Sequence, residues 1–250
     1  MKNSLPYTVV YDDEKILAVN KSSGISVGGE RWEESKQRLD KLLERDFKLS
    51  KIFTVHRIDK ETSGLIVFAK KRETHRSLSQ AFEQRKVLKT YIAIVHGRPL
   101  WKETSCDLAL VPNGNKKHMT IIDKFRGKES LTNFICLFST GNYSVLQVHP
   151  QTGRIHQIRV HSAALGFPVT GDTLYGTGKS VYLSAVKKKW HGDPLDEKPL
   201  LSRLGLHAMD LSFSLNTNDD TSVFFHAPLP RDMAALVRQM RKVSSPIIPA

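Results

Sequence analysis

Between Val55 and Phe68 the chain reads VHRIDKETSGLIVF, which gathers a histidine, an arginine and an aspartate within four residues. Asp59 supplies a carboxylate able to attack an electrophilic carbon or to take a proton. Arg57 supplies a rigid, permanently charged fork, and His56 a group that titrates near neutral pH. A second cluster, Arg154, His156, Arg159 and His161, lies in TGRIHQIRVH, and Lys89 and Tyr91 stand between the two in KTYIAIVHG. Plainer readings exist for each. Asp59 can cap a turn, His56 and Arg57 can be surface residues, and Tyr91 can be a core or edge tyrosine whose hydroxyl meets water. His149, His156 and His161 are separated by seven and five residues, share no helical face well and are joined by no carboxylate, so no metal site is expected. His118 has no ligand-spaced neighbour.

The elements that would carry these groups can be read from turn chemistry and periodicity. Thr62-Ser63-Gly64 followed by an apolar run predicts a turn feeding a buried strand, with Asp59 at its mouth. Gly64 fits a bend that needs a positive φ or a close backbone approach. The second cluster is predicted on a helix from about Arg154 to Leu165, after a strand ending at His149-Pro150 and a Thr152-Gly153 turn. Gly166 and Pro168 stop that helix. Thr8–Val10 and Ile16–Val19 read as short strands, and residues 33 to 48 as an amphipathic helix with Leu39, Leu42 and Leu43 on one face. A further helix presents Leu78, Ala81 and Phe82, and a strand carrying Tyr91 follows it. ESLTNFICLFS and LGLHAMDLSFSL read as strands, Met233 to Arg241 as a helix, and residues 177 to 203, with VKKKW, as a basic loop. Trp101 to Asn142 is the least informative stretch. Strand-rich segments separated by a few helices give an α+β (mixed α/β) class.

Composition narrows the partners. The chain has 250 residues, enough for one domain or two closely apposed halves, and 38 Lys and Arg against 25 Asp and Glu leave a net charge of +13. The excess is spread along the chain, which favours a folded basic face and a polyanionic partner, nucleic acid first. Two cysteines, Cys106 and Cys136, are too few for a disulfide framework and are expected as buried thiols in a reducing compartment. Charges interrupt every apolar run near the N-terminus, so no export signal or membrane span is expected.

Taken in order, the motifs resemble those of the RluA-type RNA pseudouridine synthases. HRIDKETSGLIVFAK is similar to the family's H-R-L-D-x-x-T-S-G-L pattern, with Ile58 in place of leucine. Asn20, Lys21, Gly24 and Val27 fit its opening motif, where Ser22 replaces the usual proline. TGRIHQIRVH with GFPVTGDTLYG fits a third, where Ile155 replaces threonine, and LHAMDLSF and HAPLP fit the last two. The resemblance spans roughly residues 7 to 240. It implies a single catalytic domain over 1–250, built on a mainly antiparallel, bent mixed sheet flanked by helices and loops, with a central RNA-binding cleft. The family's accessory S4 domain would precede the first motif, and no room is expected for it here.

The resemblance also implies an activity: detaching uracil from its ribose and rejoining it through C5. The product is an isomer, so neither cofactor nor metal is expected. Asp59, Tyr91 and Arg159 are the implied catalytic residues, with Tyr91 against the base and Arg159 directing the Asp59 carboxylate. Arg57 is implied to fill the space that a flipped base leaves, and His56, Lys89, Arg154 and His156 to contact RNA. Expected partners are large-subunit (23S) rRNA, tRNA or both, with no membrane and no protein partner, for a cytoplasmic monomer. Two alternatives stand beside this: a catalytically silent RNA-binding or assembly factor with the same fold, and a metal-dependent nuclease using the histidines.

Overall fold

The computed structural model describes residues 5–29, 37–115, 119–187, 189–214 and 222–244. In chain order it has β1 (Tyr7–Asp12), β2 (Ile16–Lys21), α1 (Leu39–Asp46), β3 (Phe53–Thr54), β4 (Ser63–Ala69) and α2 (Arg72–Glu83). There follow β5 (Leu88–His96), β6 (Glu103–Cys106), β7 (Leu110–Val111), β8 (Ile121–Ile122), β9 (Thr132–Thr140) and β10 (Tyr143–Pro150). The last elements are α3 (Gln157–Ala164), α4 (Leu183–Val186), β11 (Leu206–Ser214), β12 (Ser222–His226) and α5 (Arg231–Val243). This is the mixed α+β class expected from the sequence. The chain forms two compact units, Met1–Lys89 with His207–Pro228, and Thr90–Leu206 with Leu229–Ala250.

In the first unit β1 pairs antiparallel with β2, and β2 with β4. β11 lies parallel to β4, and β12 returns antiparallel to β11. β4 is buried at every residue, which explains its continuous apolar sequence, SGLIVFA. Its core joins Ile16, Leu65, Val67, Leu78, Phe213 and Phe225. Gly64 justifies its identity twice: its φ is +117°, and a Cβ there would come within 2.2 Å of the Ala208 carbonyl oxygen on β11. A side chain would push β4 and β11 apart where they pair.

The expected helix over 33 to 48 is shorter. Residues 33 to 36 lie outside the described residues, and α1 begins only at Leu39 because Arg38 is extended and bridges to Ser26. The first helical amides are taken by the Ser26 and Val27 carbonyls at 2.9 and 3.1 Å. Leu39, Leu42 and Leu43 are buried as the periodicity predicts.

In the second unit β10 is the central strand, antiparallel to β5 on one side and β9 on the other, with β6 beyond β9. β7 and β8 form a separate antiparallel ladder. The core gathers Val95, Phe134, Leu146, Val148, Ile158 and Val169, with both cysteines buried in it. The basic stretch is more ordered than a loop, since it holds α4 and a Val181–Leu201 bridge.

α3 also starts later than expected, at Gln157 rather than Arg154. His156 before it is left-handed, with φ 55°, and the Gln157 side chain closes the turn by accepting from the Arg154 amide at 3.0 Å and from Thr152 Oγ1 at 2.7 Å. Its amide donates in turn to Leu131 O and Thr132 Oγ1. The far end follows expectation: Gly166 takes φ +89° and Phe167 N reaches back to Ser162 O at 2.9 Å. α5 exceeds the expected Met233–Arg241 by two residues at each end.

Candidate active site

In the first unit Asp59 opens the turn that feeds β4, where its carbonyl accepts the Thr62 amide at 3.1 Å. Asp59 is half-buried and Arg57 is exposed. The peptide just after Asp59 is clamped from β2 and the loop that follows it. Lys21 is fully buried, and its ammonium donates at 2.9 Å to each of the Ser22, Ile25 and Lys60 carbonyls. Three donors thus meet three acceptors. Gly24 N also donates to Lys60 O, and Ser23 Oγ to Glu61 O. The opening motif therefore acts on the aspartate motif by fixing the backbone next to Asp59.

His56 braces the same turn from below. Its Nε2 accepts the Val67 amide of β4 at 3.0 Å, which places its proton on Nδ1, and its ring stacks on Phe82 of α2 with centroids 4.6 Å apart. Burial, with the Lys89 charge nearby, pushes its pKa down to about 3. His56 is therefore a neutral prop of the turn, not a cationic contact. Burial likewise pushes Lys89 down to about 8. At the start of β4, His207 Nε2 faces the Ala227 carbonyl at 3.1 Å and must carry the proton, so Nδ1 accepts from Ser63 Oγ at 3.0 Å.

In the second unit Tyr91 sits half-buried on β5, opposite Val148 of β10. Arg159 on α3 is buried and meets Asp172 through two parallel bonds, Nε to Oδ2 at 2.7 Å and Nη2 to Oδ1 at 2.8 Å. Asp172 Oδ1 also accepts the Leu174 and Tyr175 amides at 2.9 and 3.0 Å. Burial pushes the Asp172 carboxyl up, but the Arg159 bond and charge with those two amides outweigh it and hold the group below its usual range. The Tyr175 ring lies 5.2 Å from the Arg159 guanidinium, and its hydroxyl meets His156 Nδ1 at 2.9 Å and accepts the Thr120 amide. Gly171, just before Asp172, has φ +67°, and a Cβ there would strike the Arg203 carbonyl at 2.2 Å. Arg154 reaches Glu129 O through Nε at 3.1 Å.

Residues 15–164 match the family model described as RNA pseudouridylate synthase. The chain is 34% identical over 236 residues to the ribosomal large subunit pseudouridine synthase C of Buchnera aphidicola, covering 90% of this chain and 68% of that one. The chain belongs to the RNA pseudouridylate synthase family. It is also 35% identical over 182 residues to the ribosomal large subunit pseudouridine synthase D of Borreliella burgdorferi, a match over 70% of this chain and little more than half, 56%, of that protein. The solved structure of human RNA pseudouridylate synthase domain containing 1 superposes with a TM-score of 0.68 at 25% identity, covering 98% of this chain and 99% of that one.

As a pseudouridylate synthase domain, the chain carries a carboxylate, an aromatic and a guanidinium on three differently built supports. Asp59, Arg57, His56 and Lys89 fall in the first unit, and Tyr91, Arg154, His156 and Arg159 in the second. Sequence reasoning missed three supporting residues. Lys21 and Asp172 lay inside quoted motifs but had no role, because their partners are set by the fold. Tyr175 lies in the same motif as Asp172 and escaped for the same reason, since it meets Thr120, His156 and Arg159 only in the fold. The three histidines each have their own partners. His149 meets Gln147 Nε2 at 3.0 Å, His156 meets Tyr175, and His161 is fully buried between Thr132 Oγ1 and Leu108 O, each at 2.9 Å. Among the described residues no three His, Cys, Asp or Glu side chains come together as a metal cage, and no helix is long and apolar enough to cross a membrane. His118 lies outside the described residues.

Proposed function

We propose that this chain isomerises uridines of large-subunit ribosomal RNA to pseudouridine, with Asp59 as the essential carboxylate. The observation that carries the reading is the Asp59 turn, whose adjoining backbone is fixed by a buried lysine with all three donors engaged. Such rigid support suits a group that must act on one atom of a bound nucleotide. The reaction breaks the bond between N1 and C1′, forms one between C5 and C1′, releases the C5 hydrogen to solvent and returns a proton to N1. Asp59 serves it by attacking covalently or by taking a proton, and both routes need it ionised.

Arg159 directs that carboxylate in this reading. Its own direction is fixed by the two parallel bonds to Asp172. Tyr91 stacks on the extruded uracil, and Arg57 holds the space that it leaves, against an unstacking cost of about a few kcal/mol. Lys89, Arg154 and His156 contact the RNA backbone, while His56 supports the turn. The substrate class comes from the ribosomal relatives and the +13 charge, and it implies work in the cytoplasm; a monomer is the default reading.

The test uses a large-subunit rRNA transcript tritiated at C5 of uridine. The purified chain is expected to release tritium and form pseudouridine, in EDTA as well as without it, with the RNA length unchanged. No release from ribosomal transcripts, or cleavage of the RNA, would overturn the proposal.

A further inference from the structure

Phe125 is 95% exposed, at the tip of the segment that leaves β8. The backbone that carries it is fixed on both sides. Asp123 Oδ1 accepts the amides of Phe125 and Arg126, both at 2.9 Å, and Oδ2 accepts Arg126 Nε at 2.7 Å. Gly127 N closes the turn on Asp123 O at 2.9 Å, and Asp123 N is anchored to Ala109 O at 3.0 Å. A Cβ on Gly127 would come within 2.3 Å of Asp123 O and 2.6 Å of the Ala109 carbonyl carbon, so the turn lies flat against the β7 side. Lys128 leaves it through a pair of backbone bonds with Leu110 at 2.9 and 3.0 Å. The ring thus stands in water on a turn whose backbone is fixed.

Its surroundings state what it suits. Lys124, Arg126 and Lys128 are exposed and flank the ring within a five-residue span of a chain whose net charge is +13. Arg126 is braced by its ion pair with Asp123, and its side chain stays largely exposed. An anionic membrane or an acidic protein would also attract these cations, but a nucleic acid alone offers both a flat base for the ring and phosphates for the charges. Stacking on a fixed aromatic also costs little ordering entropy, because the frame is already in place. We propose that Phe125 is a platform on which an unpaired nucleobase of the substrate RNA stacks, with Lys124 and Arg126 on the neighbouring phosphates. The proposal rests on the RNA-modifying reading and adds a base-binding point outside the residues given to the reaction.

The experiment compares the full chain with its Phe125→Ala, Phe125→Trp and Lys124→Ala variants on the transcript used for tritium release. Phe125→Ala is expected to weaken RNA binding by about 5- to 150-fold at constant salt slope and unchanged melting temperature. Phe125→Trp is expected to bind as the native chain does, and its indole emission, taken as the difference from the native chain with its three tryptophans, is expected to be quenched by RNA but not by heparin, a polyanion without bases. Lys124→Ala is expected to lower the salt slope by roughly one unit. If the native chain releases tritium and Phe125→Ala binds as tightly as it does, or the indole emission ignores RNA, the platform is refuted and the parent reading stands. If the native chain neither binds nor modifies RNA, both fall.

Discussion

Lys21 and His56 do their work one step away from the chemistry, and each is explained by counting donors and acceptors. An ammonium with three carbonyls fixes the peptide after Asp59, and an imidazole that accepts a β4 amide has to stay neutral. The second requirement has a pH signature. His56 is pushed down to about 3 in the fold against about 6.5 in the unfolded chain, so below 6.5 the unfolded chain binds the proton first. Stability contributed by neutral His56 is whole above that value and drains away as pH falls toward 3. About 2 kcal/mol should be lost from this residue between pH 7 and pH 5. Urea unfolding at a series of pH values should show that loss in the native chain and a flatter profile in His56→Gln. Parallel profiles would remove the neutral-prop assignment. Nothing in HRID announces this role, because the amide that needs His56 belongs to Val67, across the turn.

At the scale of elements, what could be read from the sequence was local, and what could not was set by distant partners. Gly64 was legible as a bend of positive φ or close approach and Gly166 as a helix stop, and both take positive φ. The buried strand after Asp59 was legible because its apolar run has no polar alternation. The starts of α1 and α3 were not, because one is fixed by the Ser26 and Val27 carbonyls and the other by the Gln157 side chain bridging to Thr152 and Leu131. Asp172 escaped for the same reason: its Arg159 partner lies 13 positions back, beyond any periodic relation. The β4–β11 junction yields a sharp prediction. Gly64→Ala combines the cost of φ +117° with a methyl driven into the Ala208 backbone, and should destabilise the chain by about 2–4 kcal/mol. Because Ser63 and the Asp59 turn hang from the same end of β4, activity should fall with it. A melting temperature equal to that of the native chain would show that β4 and β11 do not meet as described.

For the whole molecule, the net charge of +13 predicts RNA binding that weakens linearly in log–log terms as salt rises, with each neutralised phosphate adding roughly 0.7 to 0.9 to the slope. Two cations of the site should then separate. Lys89→Ala should lower the slope by roughly one unit, as expected of a phosphate contact, whereas Arg57→Ala should leave the slope nearly intact and slow modification. The reverse pattern would exchange their roles. Lys89 adds a proton signature: burial holds it near 8 in the free chain, so a phosphate that restores its charge should draw a proton from solution on binding at pH 8.5. Calorimetry in buffers of different ionisation enthalpy reads that uptake directly.

The central claim is that Asp59 makes pseudouridine in ribosomal RNA, and one comparison tests it most directly. Large-subunit rRNA is mapped chemically for pseudouridine in a strain lacking the gene, complemented either by the native chain or by Asp59→Ala, with both proteins shown to be folded and equally abundant. Defined uridines modified with the native chain and unmodified with Asp59→Ala are the predicted result. Identical maps from the two strains would contradict the account at its root.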